Sequence, residues 1–367
     1  MPSKNADKNY EKLPLSFFIL CGIAAFSLII YLVAVISPGF AAWFNGSIGA
    51  FFRALLAHLT SWLPFSLAEI LLYCVPVVVV LVAVYAFKKR CATWKSTFVY
   101  IGCILSVCSI FFSLFVFGFG TGYHTPTLDQ RLELSVGEVT VDDLYQTAKT
   151  LALAVNDAAK EVEFGEDSFS KMPYSRGEMN DKLLDAYDKL CDDYDFVQRL
   201  RSRIKPVIAS EAMSYTHITG VYAYFTGEAN LNVAFPDYTL PFTAAHELAH
   251  QRGIARENEA NFIAFLVTSQ SEDAYIRYCG YLNLFEYVFA ALQRQDSDMA
   301  KEIVNLLDRP VVDELVAYAA FFERYSDSVA ADISDFVNDT YLKVNGNKEG
   351  TASYGLVVDL AVAYYKK

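Results

Sequence analysis

Three long stretches of the chain carry no charged residue: Pro14 to Ser37, Ile70 to Phe87 and Phe98 to Phe119. At roughly 1.5 Å of rise per helical residue, each is about long enough to cross a hydrocarbon layer of roughly 30 Å. They predict three spanning helices, over residues 14–37, 70–87 and 98–119. The first is too long for a cleaved signal peptide and lacks a small-residue cleavage site before Pro38. Between the first two, Phe51, Phe52, Leu55, Leu56 and Leu59 mix with Arg53 and His58. Residues 45–62 read either as a helix lying at the interface, with Trp43 and Trp62 as aromatic anchors, or as a simple connector.

Gly118, Gly120 and Gly122 open a linker, and beyond it the apolar positions recur at helical spacing. Helices are expected over Val141–Val162 with Thr140 as cap, Asn180–Ile204, Pro241–Gln251, Arg256–Gln270, Ser271–Gln295, Asp298–Leu307, Val311–Tyr325, Val329–Val344 and Tyr354–Tyr365. One stretch breaks the rule: from Glu228 to Phe235, Ala229, Leu231, Val233 and Phe235 alternate with Glu228, Asn230, Asn232 and Ala234, as in a half-buried strand. The expected fold is mainly α: a membrane domain over residues 1–120, then a mostly helical domain over 121–367 with a short strand or small sheet.

Charge divides the chain at the same place. Residues 1–120 hold 8 Lys/Arg and 3 Asp/Glu, a net of +5, and residues 121–367 hold 22 and 39, a net of −17. Lys4, Lys8 and Lys12 precede the first span, and Lys88, Lys89, Arg90 and Lys95 fill the connection between the second and third. Cationic residues resist translocation, so this expects a multi-pass protein of the cell membrane with a cytoplasmic N-terminus and everything after Gly120 outside. An acidic outer domain argues against nucleic acid or anionic lipid as its partner. Five of the seven cysteines lie in or beside the apolar third; only Cys191 and Cys279 are placed to pair outside, and buried free thiols are the alternative.

Four histidines lie beyond the spans, and two of them fall in His246-Glu247-Leu248-Ala249-His250. Residues four apart share one helix face, so both imidazoles can reach one cation, Zn2+ by this pattern. Glu247 between them is then placed to activate a water on the metal for attack on an amide, taking its proton and passing it to the leaving nitrogen. Pro241 suits the first turn, Gly253 suits the stop, and Arg252 implies that the helix surfaces quickly.

A catalytic zinc takes three protein ligands and keeps one position open. Six residues after His250, where a metzincin has its third His, stands Arg256, which cannot ligate. Glu257 follows, within Glu257-Asn258-Glu259-Ala260-Asn261, similar to the gluzincin arrangement of a ligand Glu with Asp or Asn four residues later, though the link from His250 is short. Glu257 is the favoured third ligand and Glu259 the alternative; Asn261, on the face of Glu257, would orient a ligand histidine. The strand upstream offers an edge for a peptide to pair with, where Glu228, Asn230 and Asn232 would hold substrate or solvate the edge. Tyr222 and Tyr224 are possible oxyanion donors. His217 is a possible base or donor behind the ligands, more often a structural residue in such a place, and His124 has no expected chemistry.

Phe225-Thr226-Gly227-Glu228-Ala229-Asn230, His246-Glu247-Leu248-Ala249-His250-Gln251-Arg252-Gly253 and Glu257-Asn258-Glu259-Ala260-Asn261-Phe262 together resemble a bacterial membrane family, domain of unknown function 3810. The resemblance extends to Leu63-Pro64-Phe65-Ser66, Tyr341-Leu342-Lys343 and Ser353-Tyr354-Gly355, and so covers nearly the whole chain. It implies a zinc-peptidase-like domain behind N-terminal spans and brings no substrate with it.

The expected function is zinc-dependent hydrolysis of a peptide or protein substrate at the outer face of the membrane. The alternative is a membrane sensor or envelope scaffold in which hydrolysis is not the main role. Transport fits poorly, because the spans hold almost no ionisable residues. Oligomeric state and cleavage preference are not written in these patterns.

Overall fold

The computed structural model describes residues 12–87, 93–326, 328–344 and 356–367. The chain opens with α1 (Leu15–Ile36). Pro38 then starts a continuous helical run made of α2 (Pro38–Phe44), a π-turn (Asn45–Gly49) and α3 (Ala50–Ser61). Two long helices follow, α4 (Leu67–Tyr85) and α5 (Trp94–Gly118). Their starts are set by local chemistry: Pro38 occupies the first turn after Ser37, whose side chain accepts from Phe40 N, and Ser66 caps α4 by accepting from Glu69 N. Helix α1 packs along α5, and the outward side chains of all these helices are exposed apolar groups such as Ile19, Val80 and Ile101.

By length and composition four segments could cross a membrane: Leu15–Ile36, Pro38–Ser61, Leu67–Tyr85 and Trp94–Gly118. Three contain the expected spans, with α4 beginning three residues early because Glu69 sits in its first turn. The fourth holds the segment expected as either an interfacial helix or a connector, now part of a longer helical run. It lies across the second half of the protein rather than pointing away from it. Asn45 donates to Gly253 O (3.1 Å), Ala50 O accepts from Gln198 (2.8 Å), and Thr60 donates to Thr226 O (3.4 Å).

The second half begins with a 3-10 turn (Gly120–His124), then α6 (Leu128–Arg131), α7 (Val141–Ala159) and α8 (Arg176–Asp193). A short β1 (Lys205–Pro206), α9 (Ser210–Ser214), β2 (Gly220–Ala223) and β3 (Glu228–Leu231) follow. The remainder is helical: α10 (Thr239–Gln251), α11 (Glu257–Ser269), α12 (Ala274–Gln295), α13 (Ser297–Val304), α14 (Arg309–Glu323), α15 (Val329–Val344) and α16 (Leu356–Tyr365). Helix α10 is buried along nearly its whole length against α8, α11 and α12, with Leu248 on α10, Phe262 on α11 and Leu282 on α12 in one core. Capping boxes Thr140/Asp143 and Ser175/Glu178 start α7 and α8. The second box makes α8 begin before Asn180, and the chain leaves the helix at Tyr194 to run extended into β1, so the helix expected to Ile204 stops short.

The sheet has the order β1-β3-β2, with β1 parallel and β2 antiparallel to β3. This corrects the expected edge strand over 228–235: the strand ends at Leu231 and β3 is central, paired on both sides. Ala229 and Leu231 face the core that holds α10, while Glu228 and Asn230 face the apolar helices. The Glu228 carboxylate accepts from Leu67 N (3.0 Å) and Ala68 N (2.8 Å) at the start of α4. Glu69 replies from α4, accepting from Ile208 N and Ala209 N (both 2.8 Å).

Arg53 ties the halves together. It is 1 % exposed and faces neutral acceptors: Asn45 Oδ1 (2.9 Å), Asn45 O (2.7 Å), Gln198 Oε1 (3.2 Å), and the end carbonyls Gly118 O and Arg252 O (both 3.4 Å). A cation at the C-terminal ends of α5 and α10 meets the negative pole of both helices. Lys4, Lys8, Lys88, Lys89, Arg90, Ser353, Tyr354 and Gly355 lie outside the described residues.

Replacing Glu228 by Ala strands two helix-end N–H groups, Leu67 N half-buried and Ala68 N buried, which costs about 1–2 kcal/mol. The thermal midpoint of the detergent-solubilised protein should fall accordingly, and Glu228→Gln, which keeps an acceptor, should fall less; equal loss from both would disprove the capping role.

Candidate metal centre

The site is built by two helices and the turn between them. Pro241 stands in the first turn of α10, where a missing N–H costs no hydrogen bond. Gly253 ends the helix in the left-handed region at φ +89°, which a side chain would strain, and lets Ile254 N reach back to Ala249 O (3.2 Å). The same turn brings Ile254 O to 2.7 Å from His250 Nδ1. Helix α11 then starts at Glu257, with Asn261 one turn on.

His246 and His250 stand ring to ring, centroids 4.5 Å apart and planes at 90°. His246 Nδ1 lies 2.8 Å from Asn261 Oδ1. With Asn261 Oδ1 and Ile254 O as acceptors, each Nδ1 donates, which leaves each Nε2 as the atom a metal would bind in place of a proton. Both Nε2 atoms turn to Glu257, at 3.2 Å (His246 to Oε2) and 3.5 Å (His250 to Oε1). One ligand atom from each of the three lies within 4.8 Å of the others, a donor set of two imidazoles and a carboxylate that suits a divalent cation. Burial opposes the charged forms here, but Glu257 lifts His250 to about 9, and the imidazoles hold Glu257 well below the usual carboxylate range. A divalent cation would take the place of that proton as the charge Glu257 faces.

The other acidic candidate points elsewhere. Glu259 accepts from Leu128 N (2.9 Å) and pairs with Arg256 (2.7 Å) and Arg131 (2.8 Å), tying α11 to α6. Glu247 is buried beside the triad; its Oε2 has no hydrogen-bond partner among the described residues, and burial pushes it up to about 7 against the pull of both imidazoles. Its carboxylate packs on Gly220 at the start of β2, where a Cβ would stand 2.6 Å from Oε1, so only glycine lets the strand pass this close.

Several expectations need correction. Glu228, Asn230 and Asn232 are buried and committed elsewhere: Glu228 caps α4, Asn230 donates to Val221 O and Glu228 O (both 3.0 Å), and Asn232 donates to Ser214 Oγ and Ile218 O (both 3.1 Å). They neither solvate an edge nor face the triad. Arg252 does not bring the helix to the surface: its guanidinium stacks 3.8 Å from the Tyr187 ring and donates to Leu200 O (2.5 Å) and Leu248 O (3.0 Å). The His217 ring is engaged by Tyr325 O (2.8 Å) and the Phe322 ring. Tyr222 is buried, its hydroxyl unpartnered among the described residues and pushed up to about 12 by burial; Tyr224 packs on Phe115. Cys191 and Cys279 are both free.

Three contributors carried no signal in the sequence. Gly220 abuts Glu247. Phe119, just past α5, packs edge-on against His250 with centroids 5.6 Å apart. Tyr287 on α12 lies beside Glu257 and Asn261, and burial pushes its hydroxyl up.

Residues 44–362 match the family model described as a protein of unknown function, DUF3810, and the chain belongs to that family. No curated protein and no solved structure matches it.

Zinc titration of the purified full chain should show one tight site. Glu257→Ala should abolish it, Asn261→Ala should weaken it by about 10–100-fold, and Glu259→Gln should leave it intact. Loss in Glu259→Gln with retention in Glu257→Ala would shift the ligand by two residues.

Proposed function

Taking the DUF3810 family chain as a membrane protein with this triad, we propose that it is a zinc-dependent peptidase acting at the extracytoplasmic face. The observation that carries the reading is the convergence of His246 Nε2, His250 Nε2 and the Glu257 carboxylate with Glu247 buried alongside. Three protein ligands leave a fourth coordination position, the arrangement of catalytic rather than structural zinc. Bound there, zinc supplies Lewis acidity toward the scissile carbonyl and makes water acidic enough to react near neutrality.

The chain's own residues do the rest. His246, His250 and Glu257 hold the ion, with the two rings fixed from behind by Asn261 and Ile254 O. Glu247 takes a proton from the attacking water as its oxygen bonds the carbonyl carbon, and delivers that proton to the nitrogen as the C–N bond breaks. The backbone of β2, unpaired on its outer side among the described strands, is the part able to hold an extended peptide by strand addition.

Membrane anchoring rests on the apolar helices, and sidedness on the cationic residues. The start of α4 meets Glu228 and the end of α5 lies against Tyr224, as expected if both helices leave the bilayer on that side. Lys95 at the opposite end of α5 and Lys12 before α1 sit on the cytoplasmic side in this arrangement.

Glu247→Gln should retain zinc and lose peptide hydrolysis by on the order of 10²–10⁴-fold, read by mass spectrometry on a degenerate peptide library. Stripping the wild type with a chelator should remove activity, and zinc should restore it. Full activity in Glu247→Gln, or in metal-free protein, would rule out the mechanism.

A further inference from the structure

The sheet lies between the metal helix and the apolar helices, which fixes where the edge strand opens. The β2–β3 turn reaches down beside α5: Tyr224 packs on Phe115 (5.4 Å) and Phe225 on Phe111 (5.7 Å). Phe111 stands seven residues before Gly118, roughly 10 Å of helix below its end. The His250 ring rests on Phe119, the first residue past α5, so the triad sits level with the helix ends. Val221, opposite Asn230 in register, shares the face on which Glu228 caps α4, and it is 46 % exposed. Ile208, 72 % exposed, lies beside the α4 start through Glu69, and Trp62, 74 % exposed, sits in the turn whose neighbouring Leu63 O accepts from Lys205. An exposed Trp at the mouth of a helical membrane unit belongs at the lipid headgroup level, and exposed aliphatic groups beside it are withdrawn from water there.

We propose that the substrate is a membrane-tethered polypeptide, whose extended segment next to its spanning helix or lipid anchor adds to β2 at the bilayer surface. This rests on the peptidase reading and narrows its substrate class. An extended segment is what a strand edge accepts, and a tether holds it at the depth of β2. Chains free in solution have to reach an edge whose outward side chain faces the lipid side.

The test uses the full zinc-loaded chain in phosphatidylethanolamine–phosphatidylglycerol vesicles and one degenerate decapeptide library in three forms: free, or lipid-anchored through a spacer of three or of twenty residues. Cleavage of the short-spacer form should exceed the free form at least tenfold and the long-spacer form at least fivefold. Equal rates for short and long spacers, or for free peptide, would overturn the proposal. A dye on Val221→Cys, with the native cysteines replaced by alanine, should be quenched by lipids spin-labelled near the headgroup; no quenching would overturn it as well. Quenching with no cleavage of any library would show that the peptidase reading itself had failed, and the substrate assignment with it.

Discussion

The site depends on two hydrogen bonds made behind the imidazoles. A neutral histidine ring can offer either nitrogen, and which one it offers is decided by what the other is bound to. Asn261 Oδ1 and Ile254 O take the Nδ1 protons at 2.8 and 2.7 Å, so both Nε2 atoms are committed to the same point in front of Glu257. Asn261 and Glu257 are one turn apart on α11, so a single helix supplies both the carboxylate and the group that aims His246. The acceptor for His250 comes from the turn that ends its own helix. Helix stop, ring orientation and the start of α11 are thus one local structure, and Gly253 is its pivot.

That pivot is anchored to the apolar helices. Asn45 donates to Gly253 O and Arg53 to Arg252 O, while Arg53 also reaches Gly118 O. A buried guanidinium without a carboxylate partner among these contacts is costly unless its donors are satisfied, and here carbonyls and amides at two helix ends satisfy them. Helix α10 is therefore not hung on a flexible tether. Its C-terminal end shares one donor, Arg53, with the end of α5, which is why the triad and the strand beside it hold a fixed height relative to the long apolar helices.

Much of this was legible in the residues. Charge-free runs marked α1, α4 and α5, Pro241 and Gly253 bracketed α10, and the four-residue spacing in α10 and α11 put His246 with His250 and Glu257 with Asn261. What misled was polarity read without its partners. Glu228, Asn230 and Asn232 alternate with apolar residues as on a solvated edge, yet they are buried: the start of α4 takes the Glu228 carboxylate, Val221 O takes the Asn230 amide, and Ser214 and Ile218 take the Asn232 amide. Arg252 looked like a surface residue because no one-dimensional pattern shows the Tyr187 ring or Leu200 O. Strands of two and four residues, β1 and β2, are too short for periodicity to reveal, so the true edge strand and the contact of Gly220 with Glu247 stayed hidden. Tyr287 lies 26 residues beyond Asn261, a separation that no motif spacing encodes.

The most direct test of the central claim is X-ray absorption at the zinc edge on the zinc-loaded, desalted full chain. Two imidazoles with carboxylate and water oxygens predict nitrogen and oxygen scatterers at about 2.0–2.1 Å, with the outer-shell signature of ring carbons. Sulfur scatterers at about 2.3 Å, or no zinc signal after desalting, would contradict the account.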